Sequence, residues 1–370
     1  RRFGDRCDDP QRLDDSGRGL MAKKELRSGY TTGACAAAAT KGAALLLRDG
    51  GAESVEIDLP AGFSARFQLQ GQSLMDGVAR CFVVKDAGDD PDVTHGIELH
   101  AELRRTDGPG LEIVAGTGIG LVTKPGLAVA VGQPAINPVP RKMIEQAVAD
   151  VFSETTGLQL TLSIPDGAQR AQKTLNARLG IIGGLSLLGT SGVVRPISHQ
   201  AWTDTLDVAI DVALAAGAEP VVLSTGRTSE QAAQQYFALP EEAFVMMGDF
   251  IGYTLEACQR KRVPQIALSG QFAKLLKIAC GHPQTHVRHA QLDLAQLRKW
   301  AEEIGLDVAE CQRLELANTA RQVFEEFGVE SALIERVGLE ALTICRQQVP
   351  GAAVTILLTD YQGQVAKVFS

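Results

Sequence analysis

The sequence predicts a two-domain chain of α/β plus α+β class. An N-terminal α+β domain is followed by a Rossmann-like domain with a doubly wound parallel sheet, and then by C-terminal helices and a final hairpin. The length of 370 residues is long for one core. Strands come in runs before about residue 175, whereas apolar strands alternate with helices beyond it.

The first predicted domain, residues 25–175, consists mainly of half-buried strands. Apolar and polar residues alternate in SVEIDLP and SARFQLQG, as they do in antiparallel strands with one buried face. ARCFVV, GIELHAELRR, LEIVAG and GLQLTLS continue the series. The amphipathic helix RKMIEQAVADVF follows Pro140, a residue suited to the first turn of a helix. Strands in runs with few helices indicate an α+β domain.

The second predicted domain, residues 176–290, has a different pattern. LGIIGG is expected to be a short strand, and the helix SHQAWTDTLDVAIDVALAAGAE follows it with Ser198 as a candidate N-cap. The strands PVVLSTG, AFVMMG and VPQIALSG are then each followed by a helix. This alternation predicts a doubly wound parallel sheet.

The two ends of the chain differ from these domains. Residues 291–370 predict helices and a terminal hairpin around Gln362 and Gly363, which pack on the preceding domains. Residues 1–24 have little apolar patterning, so we expect a disordered or non-native tail with Met21 as the biological start.

Composition excludes several classes of protein. The net charge of -8 disfavours a general nucleic-acid binder, and no apolar run is long enough for a membrane span. Seven cysteines are scattered without a CxxC pair, which indicates reduced thiols in a cytoplasm and disfavours a zinc site. The oligomeric state stays open, and a homo-oligomer is one possibility.

The predicted strand ends form the first candidate site, because ligands bind parallel sheets at the carboxyl ends of the strands. Glycine there lets a ligand approach the backbone, and Asp249 is placed to accept hydrogen bonds from ribose hydroxyls. The alternative is a series of tight turns and helix caps without a ligand. No GxGxxG fingerprint opens the first strand. The candidate cofactor-binding residues are Gly183, Gly184, Ser224, Thr225, Gly226, Gly248, Asp249, Ser269 and Gly270.

The segment SGYTTGACAAAATKGAALLL, residues 28–47, predicts a helix that begins after hydroxyl and glycine residues. It is not a Walker A loop, because GxxxxGK[ST] is absent and Lys41 lies about 12 Å along the helix axis from Gly33. We expect a helix N-terminus at Thr31, Thr32 and Gly33 that binds a carboxylate, of the substrate in the favoured interpretation and of a cofactor in the second. The alternative is an alanine-rich helix that packs closely against another element.

Charged loops supply the remaining candidates for substrate binding. KDAGDDPDVTHG is dense in carboxylates and is suited to a hard cation or to amine groups, or else it is an Asx-rich turn. Basic residues in nearby loops would together meet a polycarboxylate. The candidate substrate-binding residues among these charges are Lys85, Asp86, Asp89, Asp90, Asp92, Lys124 and Arg195.

GHPQTHVRH carries His282, His286 and His289 after a predicted helix. HExxH is missing, which excludes that metalloprotease motif, and Pro283 opposes a shared helical face. We expect a loop in which His286, beside Thr285, contacts a ligand.

Five segments in consistent order resemble the CbiD family. They are LRSGYTTGACAAAA, VKDAGDDPDVTHG, GTGIGLVTKPGLAVAVGQPAINPVPRKMI, RLGIIGGLSLLGTSGVVRP and GHPQTHVRHA, which together span about residues 26–290. The one departure noted is Ala177, at a linker position where the family leads us to expect proline.

The resemblance implies a methyltransferase of anaerobic cobalamin biosynthesis. Its methyl donor would be S-adenosylmethionine (SAM), and its substrate would be the corrinoid cobalt-precorrin-5B, methylated at ring carbon C-1. Cobalt would arrive only within that substrate, so the resemblance implies no protein-bound metal. Such a displacement needs alignment and a dry site above all. His286 and Asp249 are the candidate catalytic bases. Two alternatives stay open: a non-catalytic corrinoid carrier, and a nucleotide-dependent reductase on the same sheet.

Overall fold

The chain is a mixed α/β protein, described here from a computed structural model. Eleven α-helices and eighteen strands lie in the described part of the chain, which comprises residues 26–196, 199–288, 290 and 292–370. The predicted tail at residues 1–24, the expected start at Met21, the candidate cap Ser198 and the candidate His289 all lie outside the described residues.

A five-stranded sheet and two helices organise the first half of the chain. Its elements are β1 (Gly29–Tyr30), α1 (Thr32–Asp49), β2 (Ser54–Leu59), β3 (Phe63–Gln68), β4 (Gln70–Met75), β5 (Val78–Val84), β6 (Glu98–Arg105), β7 (Gly110–Ala115), β8 (Gly118–Ile119), β9 (Leu121–Val122), α2 (Pro138–Ala149), β10 (Gly157–Ser163), α3 (Gly167–Ala171), β11 (Ile181–Ile182), β12 (Gly184–Leu185) and β13 (Val193–Val194). The sheet has the order β4-β5-β6-β10-β7, in which β10 and β7 pair in parallel and the other neighbours are antiparallel.

Helix α1 is buried because its side chains are small. Residues 34–39 are each no more than 1% exposed, and the helix contacts α2, β5 and β6. A Cβ on Gly42 would lie 2.8 Å from the Cys81 sulfur, which is closer than real Cβ atoms come to such a neighbour. Larger side chains on this face would therefore push the helix away from the sheet.

The predicted strand LGIIGG is not part of the parallel sheet, so that prediction is wrong. Gly183 has a positive φ of 85° and divides the run into two strands of two residues each. β11 pairs with β9, and β12 pairs with β8. A Cβ on Gly184 would overlap the carbonyl oxygen of Gly118, so only glycine permits this close pairing.

A second five-stranded sheet organises the second half of the chain. Its elements are α4 (His199–Ala215), β14 (Val221–Ser224), α5 (Arg227–Tyr236), a 3-10 turn (Glu241–Ala243), β15 (Phe244–Met246), α6 (Ile251–Arg260), β16 (Gln265–Gln271), α7 (Phe272–Ala279), α8 (Leu294–Glu303), α9 (Val308–Leu316), α10 (Ala320–Phe327), α11 (Ala332–Gln348), β17 (Ala353–Thr359) and β18 (Val365–Phe369). The strand order is β15-β14-β16-β17-β18. The first four strands are parallel, and β18 is antiparallel to β17.

Helices cover both faces of this sheet. Helix α5 connects β14 to β15 on one side of it, and α6 connects β15 to β16 on the other side of β14. Because both crossovers are right-handed, α5 and α6 lie on opposite faces of the sheet. Helix α6 contacts both α4 and α11. The predicted C-terminal helices and the final hairpin of β17 and β18 are confirmed.

Buried apolar residues form two large clusters. The first runs from Ala34 to Leu187 in the chain, with Val193 packed against it, and the second runs from Leu206 to Phe369. Leu185, Leu187 and Val193 thus pack in or against the first core, beyond the predicted boundary at residue 175. None of the described helices is both long and apolar enough to cross a membrane.

Candidate functional site

The carboxyl edge of the parallel sheet brings together seven of the residues predicted to bind a cofactor. Ser224 ends β14, Ser269 and Gly270 lie in β16, and Gly248 follows β15. The Thr225 N–H donates to the Ser269 carbonyl at 3.1 Å. The Met247 N–H donates to the Ser224 carbonyl at 3.0 Å. Thr225, Gly226 and Asp249 lie in the loops that leave this edge.

Two buried hydroxyl groups at this edge have no partner. Ser224 and Thr359 are 0% exposed, and neither side-chain oxygen has a hydrogen-bond partner among the described residues. Ser224 is in register with Ser269, and Ser269 is in register with Leu357. Thr359 lies two residues beyond Leu357, so the hydroxyls of Ser224, Ser269 and Thr359 point to the same face of the sheet. Ser269 Oγ donates to the Ser229 carbonyl at 2.7 Å, which identifies this face as the one that α5 covers.

Helix α5 begins at this face with unused donors. Its first residue, Arg227, follows Gly226, which has no side chain to cap the helix; the Gly226 N–H itself donates to Ser229 Oγ at 3.1 Å. The N–H groups of Arg227 and Thr228 have no acceptor in the described part of the chain. A helix N-terminus with open N–H groups attracts an anion such as a carboxylate. The sheet order also reverses between β14 and β16, which is where α/β sheets bind their ligands.

The predicted bases Asp249 and His286 lie close to one another through Thr285. The Thr285 hydroxyl donates to Asp249 Oδ1 at 2.7 Å, and the Thr285 N–H donates to the Asp249 carbonyl at 3.0 Å. Lys274 forms an ion pair with Asp249, and Lys277 Nζ donates to the Thr285 carbonyl at 2.8 Å. Thr285 is fully buried, so it fixes the loop that carries His286.

These contacts determine the charges in the cluster of Asp249, Lys274, Lys277, Thr285 and His286. Burial alone would raise the pKa of Asp249, but hydrogen bonds from Lys274 and Thr285, with the charges of Lys274 and His286, lower the pKa overall. Burial and the neighbouring Lys274 lower the pKa of Lys277. Asp249 is therefore a carboxylate near neutral pH and a weak proton acceptor.

An aromatic cleft opens beside this cluster. It has a volume of about 490 Å³ and is lined by His199, Phe250, Tyr253, Pro283 and Gln284. The His199 and Phe250 rings meet edge to face at 5.4 Å, and the ring of Trp202, 42% exposed, stacks near Phe250 at 6.4 Å.

Gly183 and Gly184 stand apart from the sheet edge. They belong to the short pairs β11–β9 and β12–β8 of the first half of the chain. Their prediction as cofactor-binding residues assumed a strand of the parallel sheet, which the pairing contradicts. The two glycines serve a turn and a close backbone approach.

At the start of α1, the N–H groups of Thr31, Gly33 and Ala34 are already bonded within the protein, whereas a carboxylate site was expected to have open N–H groups. Thr31 caps the helix by accepting from the Ala34 N–H at 3.2 Å, as predicted. The Gly33 N–H donates to the Leu188 carbonyl, and the Thr32 hydroxyl accepts from the Leu188 N–H at 3.0 Å. All three residues are buried. These contacts favour the packing alternative for this segment, and binding of a carboxylate at Thr31, Thr32 and Gly33 stays a prediction.

The acidic loop is held by contacts within the protein. Lys85 is 1% exposed, and its ammonium group bonds to Asp92 Oδ2 at 2.6 Å. The Thr94 N–H donates to Asp92 Oδ1 at 2.8 Å, which is an Asx turn. Asp86 pairs with Arg27, and Asp89 accepts from the Arg27 N–H at 2.7 Å.

The other charged candidates differ in their surroundings. Asp90 is half-buried in the acidic loop, and Arg195 is exposed. Lys124 pairs with Glu242, so it joins the two halves of the chain. Arg178 makes a second such contact with Glu230 at 2.6 Å. Contact of Lys85, Asp86, Asp89, Asp90, Asp92, Lys124 or Arg195 with a substrate stays a prediction.

Sequence reasoning missed the two lysines, Thr285 as a buried anchor, Thr359 and the aromatic residues. Lys274 and Lys277 are three apart on α7, a spacing that places both on one side of a helix. That spacing was a usable signal. Thr359 enters the edge only through the pairing of β17 with β16, which no local pattern reveals. The described residues contain no group of three or more His, Cys, Asp or Glu side chains that could hold a metal ion.

Fold and site together define a mixed α/β protein in which unpaired polar groups gather at the carboxyl edge of a parallel sheet. Comparison with known proteins identifies the family: the chain belongs to the CbiD family. The CbiD family model matches residues 20–196, and the model of the CbiD C-terminal domain matches residues 284–367.

Relatives with high identity cover nearly the whole chain. A protein of Citrifermentans bemidjiense is 53% identical over 351 residues, which are 93% of this chain and 99% of that protein. Proteins of Geobacter sulfurreducens and Pseudomonas putida are 54% and 43% identical, over 93% and 92% of this chain and 99% and 95% of theirs. All three are named cobalt-precorrin-5B C(1)-methyltransferase. A crystal structure of the cobalamin biosynthesis protein CbiD from Archaeoglobus fulgidus is 28% identical, covers 76% of this chain and 85% of its own, and has a TM-score of 0.39.

Proposed function

We propose that this chain is a cytoplasmic enzyme that transfers a methyl group from SAM to C-1 of cobalt-precorrin-5B. The products are cobalt-precorrin-6A and S-adenosylhomocysteine, and the reaction belongs to anaerobic cobalamin biosynthesis. Membership of the CbiD family and 53% identity to a relative of that name support the proposal. The observation that carries it within the structure is the polar carboxyl edge of the parallel sheet.

We further propose two domains, an α+β domain followed by a Rossmann-like domain. Two separate apolar cores support this division and favour a boundary after Val194 instead of residue 175. Contacts at Lys124 and Arg178 join the halves, so a broad substrate at this junction would meet residues of both.

The residues at the sheet edge fit SAM. Ser224 Oγ is buried and unpaired, and polar atoms of a bound nucleoside would satisfy it. The open first turn of α5 suits the carboxylate of the methionyl group. Gly226 and Gly248 are half-buried and leave the backbone accessible, whereas Gly270 is buried. SAM supplies an electrophilic methyl carbon attached to a sulfonium.

The protein contributes alignment and protection from competing reactions. Burial raises the pKa of the Cys35, Cys81, Cys258 and Cys345 thiols to about 12, so they are not thiolates that would take the methyl group. Lys274 and Thr285 keep Asp249 ionised, so its role is to position the loop that carries His286. His286, which is exposed near Asp249, is the group that would accept the ring proton.

The decisive experiment is anaerobic incubation with methyl-labelled SAM and cobalt-precorrin-5B, followed by mass spectrometry of the corrinoid. We expect the label at C-1, and an unlabelled corrinoid would overturn the proposal. A carrier would bind corrinoid without binding S-adenosylhomocysteine in calorimetry. A reductase would instead be stabilised by NAD(P) in a thermal-shift assay.

A further inference from the structure

The aromatic cleft beside Asp249 is lined by flat, partly exposed rings. Phe250 is half-buried in its wall, with His199 and Trp202 arranged around it. Tyr253 lines the same cleft, and its hydroxyl donates to Asp207, which fixes the ring. Aromatic faces in an open cleft suit a flat, unsaturated ligand.

Two ammonium groups hold the loop that carries Pro283 and Gln284 of the cleft wall, and both have donors to spare. Lys274 and Lys277 both reach the carbonyl of Thr285, at 3.4 and 2.8 Å, and Thr285 directly follows the lining residue Gln284. An ammonium group has three donors. Within the described chain, Lys277 uses one and Lys274 uses two, the second on Asp249.

The charge beside this loop distinguishes the two reactants of the proposed reaction. Two lysines against one aspartate leave a net positive charge, which repels a sulfonium cation and attracts carboxylates. A corrinoid precursor is a broad ring with acetate and propionate groups along its margin. Flat rings beside unused ammonium donors match a margin of that kind.

We infer that this cleft binds one edge of the corrinoid substrate, with the ring against Phe250 and a peripheral carboxylate on Lys277. The inference rests on the proposed function and adds the substrate's place to it. The methyl donor then lies at the adjacent sheet edge near Ser224, and the first half of the chain meets the remainder of the ring.

Lys277→Gln tests the inference by equilibrium binding of two stable corrinoids. Cobyrinic acid carries free carboxylates, whereas cobinamide carries amides in their place. Loss of one charge-assisted hydrogen bond is expected to weaken cobyrinic acid binding roughly ten- to a hundredfold. Cobinamide and S-adenosylhomocysteine are expected to bind Lys277→Gln as they bind the unchanged protein.

Three further variants sharpen the test. Lys299→Gln removes an exposed charge on α8 and should leave all three affinities unchanged. Lys277→Arg keeps the charge and should retain most of the cobyrinic acid affinity, which separates charge from folding. Phe250→Leu should weaken both corrinoids alike.

Specific outcomes overturn the inference. Equal loss of cobyrinic acid and cobinamide in Lys277→Gln would mean that the lysine does not recognise a carboxylate. Weaker binding of S-adenosylhomocysteine alone in Lys277→Gln would assign the cleft to the methyl donor. Unchanged binding of all three would remove Lys277 from any site. Failure of the labelling experiment with these binding results intact would instead refute the proposed reaction.

Discussion

The buried ion pair between Lys85 and Asp92 allows a quantitative prediction. Lys85 is 1% exposed, while the Asp92 side chain is 24% exposed and keeps two hydrogen bonds from Thr94. Asp92→Asn strands a buried ammonium group, which should cost about 3–5 kcal/mol of unfolding free energy. Lys85→Met leaves a carboxylate with water and Thr94 as partners, so we expect a loss of about 1–3 kcal/mol. Asp92→Asn should therefore lower the free energy of unfolding more than Lys85→Met does.

Hydrogen–deuterium exchange of peptides from β5 and β6 is the suitable assay for this pair. Both tryptophans, Trp202 and Trp300, lie in the second half of the chain, so their fluorescence does not follow the first core. Protection of these peptides should fall more in Asp92→Asn than in Lys85→Met. A loss below about 1 kcal/mol in Asp92→Asn, or the reverse order, would refute the reasoning.

The same pair predicts a dependence on pH. Burial would raise the pKa of Asp92, but the charge and hydrogen bond of Lys85 and the bonds from Thr94 lower it overall. A lowered pKa in the folded state adds stability above the ordinary aspartate pKa of about 4, and that stability is lost as the pH falls further. Asp92→Asn should remove this component of acid sensitivity. An unchanged acid transition in the variant would contradict it.

Three other substitutions have expected outcomes. Ser224→Ala removes an unpaired buried hydroxyl, so thermal unfolding should change little while calorimetry shows severalfold weaker binding of S-adenosylhomocysteine; unchanged affinity would remove Ser224 from the donor site. Gly184→Ala places a Cβ on the Gly118 carbonyl and should lower stability measured by urea denaturation, and a neutral result would contradict the close pairing. Thr31→Ala removes a helix cap and should lower the free energy of unfolding by about 1 kcal/mol in the same assay. The affinity for cobyrinic acid should not change, and a loss of that affinity would support the carboxylate hypothesis.

Local patterns predicted most of the second half of the chain. Each of PVVLSTG, AFVMMG and VPQIALSG forms a parallel strand followed by a helix, because a short apolar run and an amphipathic segment each specify their own structure. LGIIGG has the same composition but a different structure. The positive φ of Gly183 and the pairing with β8 and β9 determine the structure of this segment, and those partner strands lie about 60 residues earlier in the chain.

The candidate site was predictable to the extent that it follows strand ends. Ser224, Gly248 and Ser269 could be placed at one edge because parallel strands end together. The start of α1 could not be judged in this way, because the Gly33 N–H donates to the Leu188 carbonyl and the Thr31 N–H to the Gly192 carbonyl, both more than 150 residues later in the chain. The sequence named Asp249 and His286 as candidate bases without relating their positions; the structure brings both to Thr285, and their catalytic roles stay predictions.

The order of strands in the second sheet has a consequence for synthesis of the chain. β16 pairs along its whole length with β17, yet residues 272–352 separate them. A ribosome that adds 5–20 residues per second needs roughly 4–16 seconds to make that stretch. Throughout that interval β16 has no neighbour on one side, and an open strand edge invites pairing with another chain. The nascent protein is thus most prone to aggregate late in translation, when a chaperone that shields this edge would raise the yield.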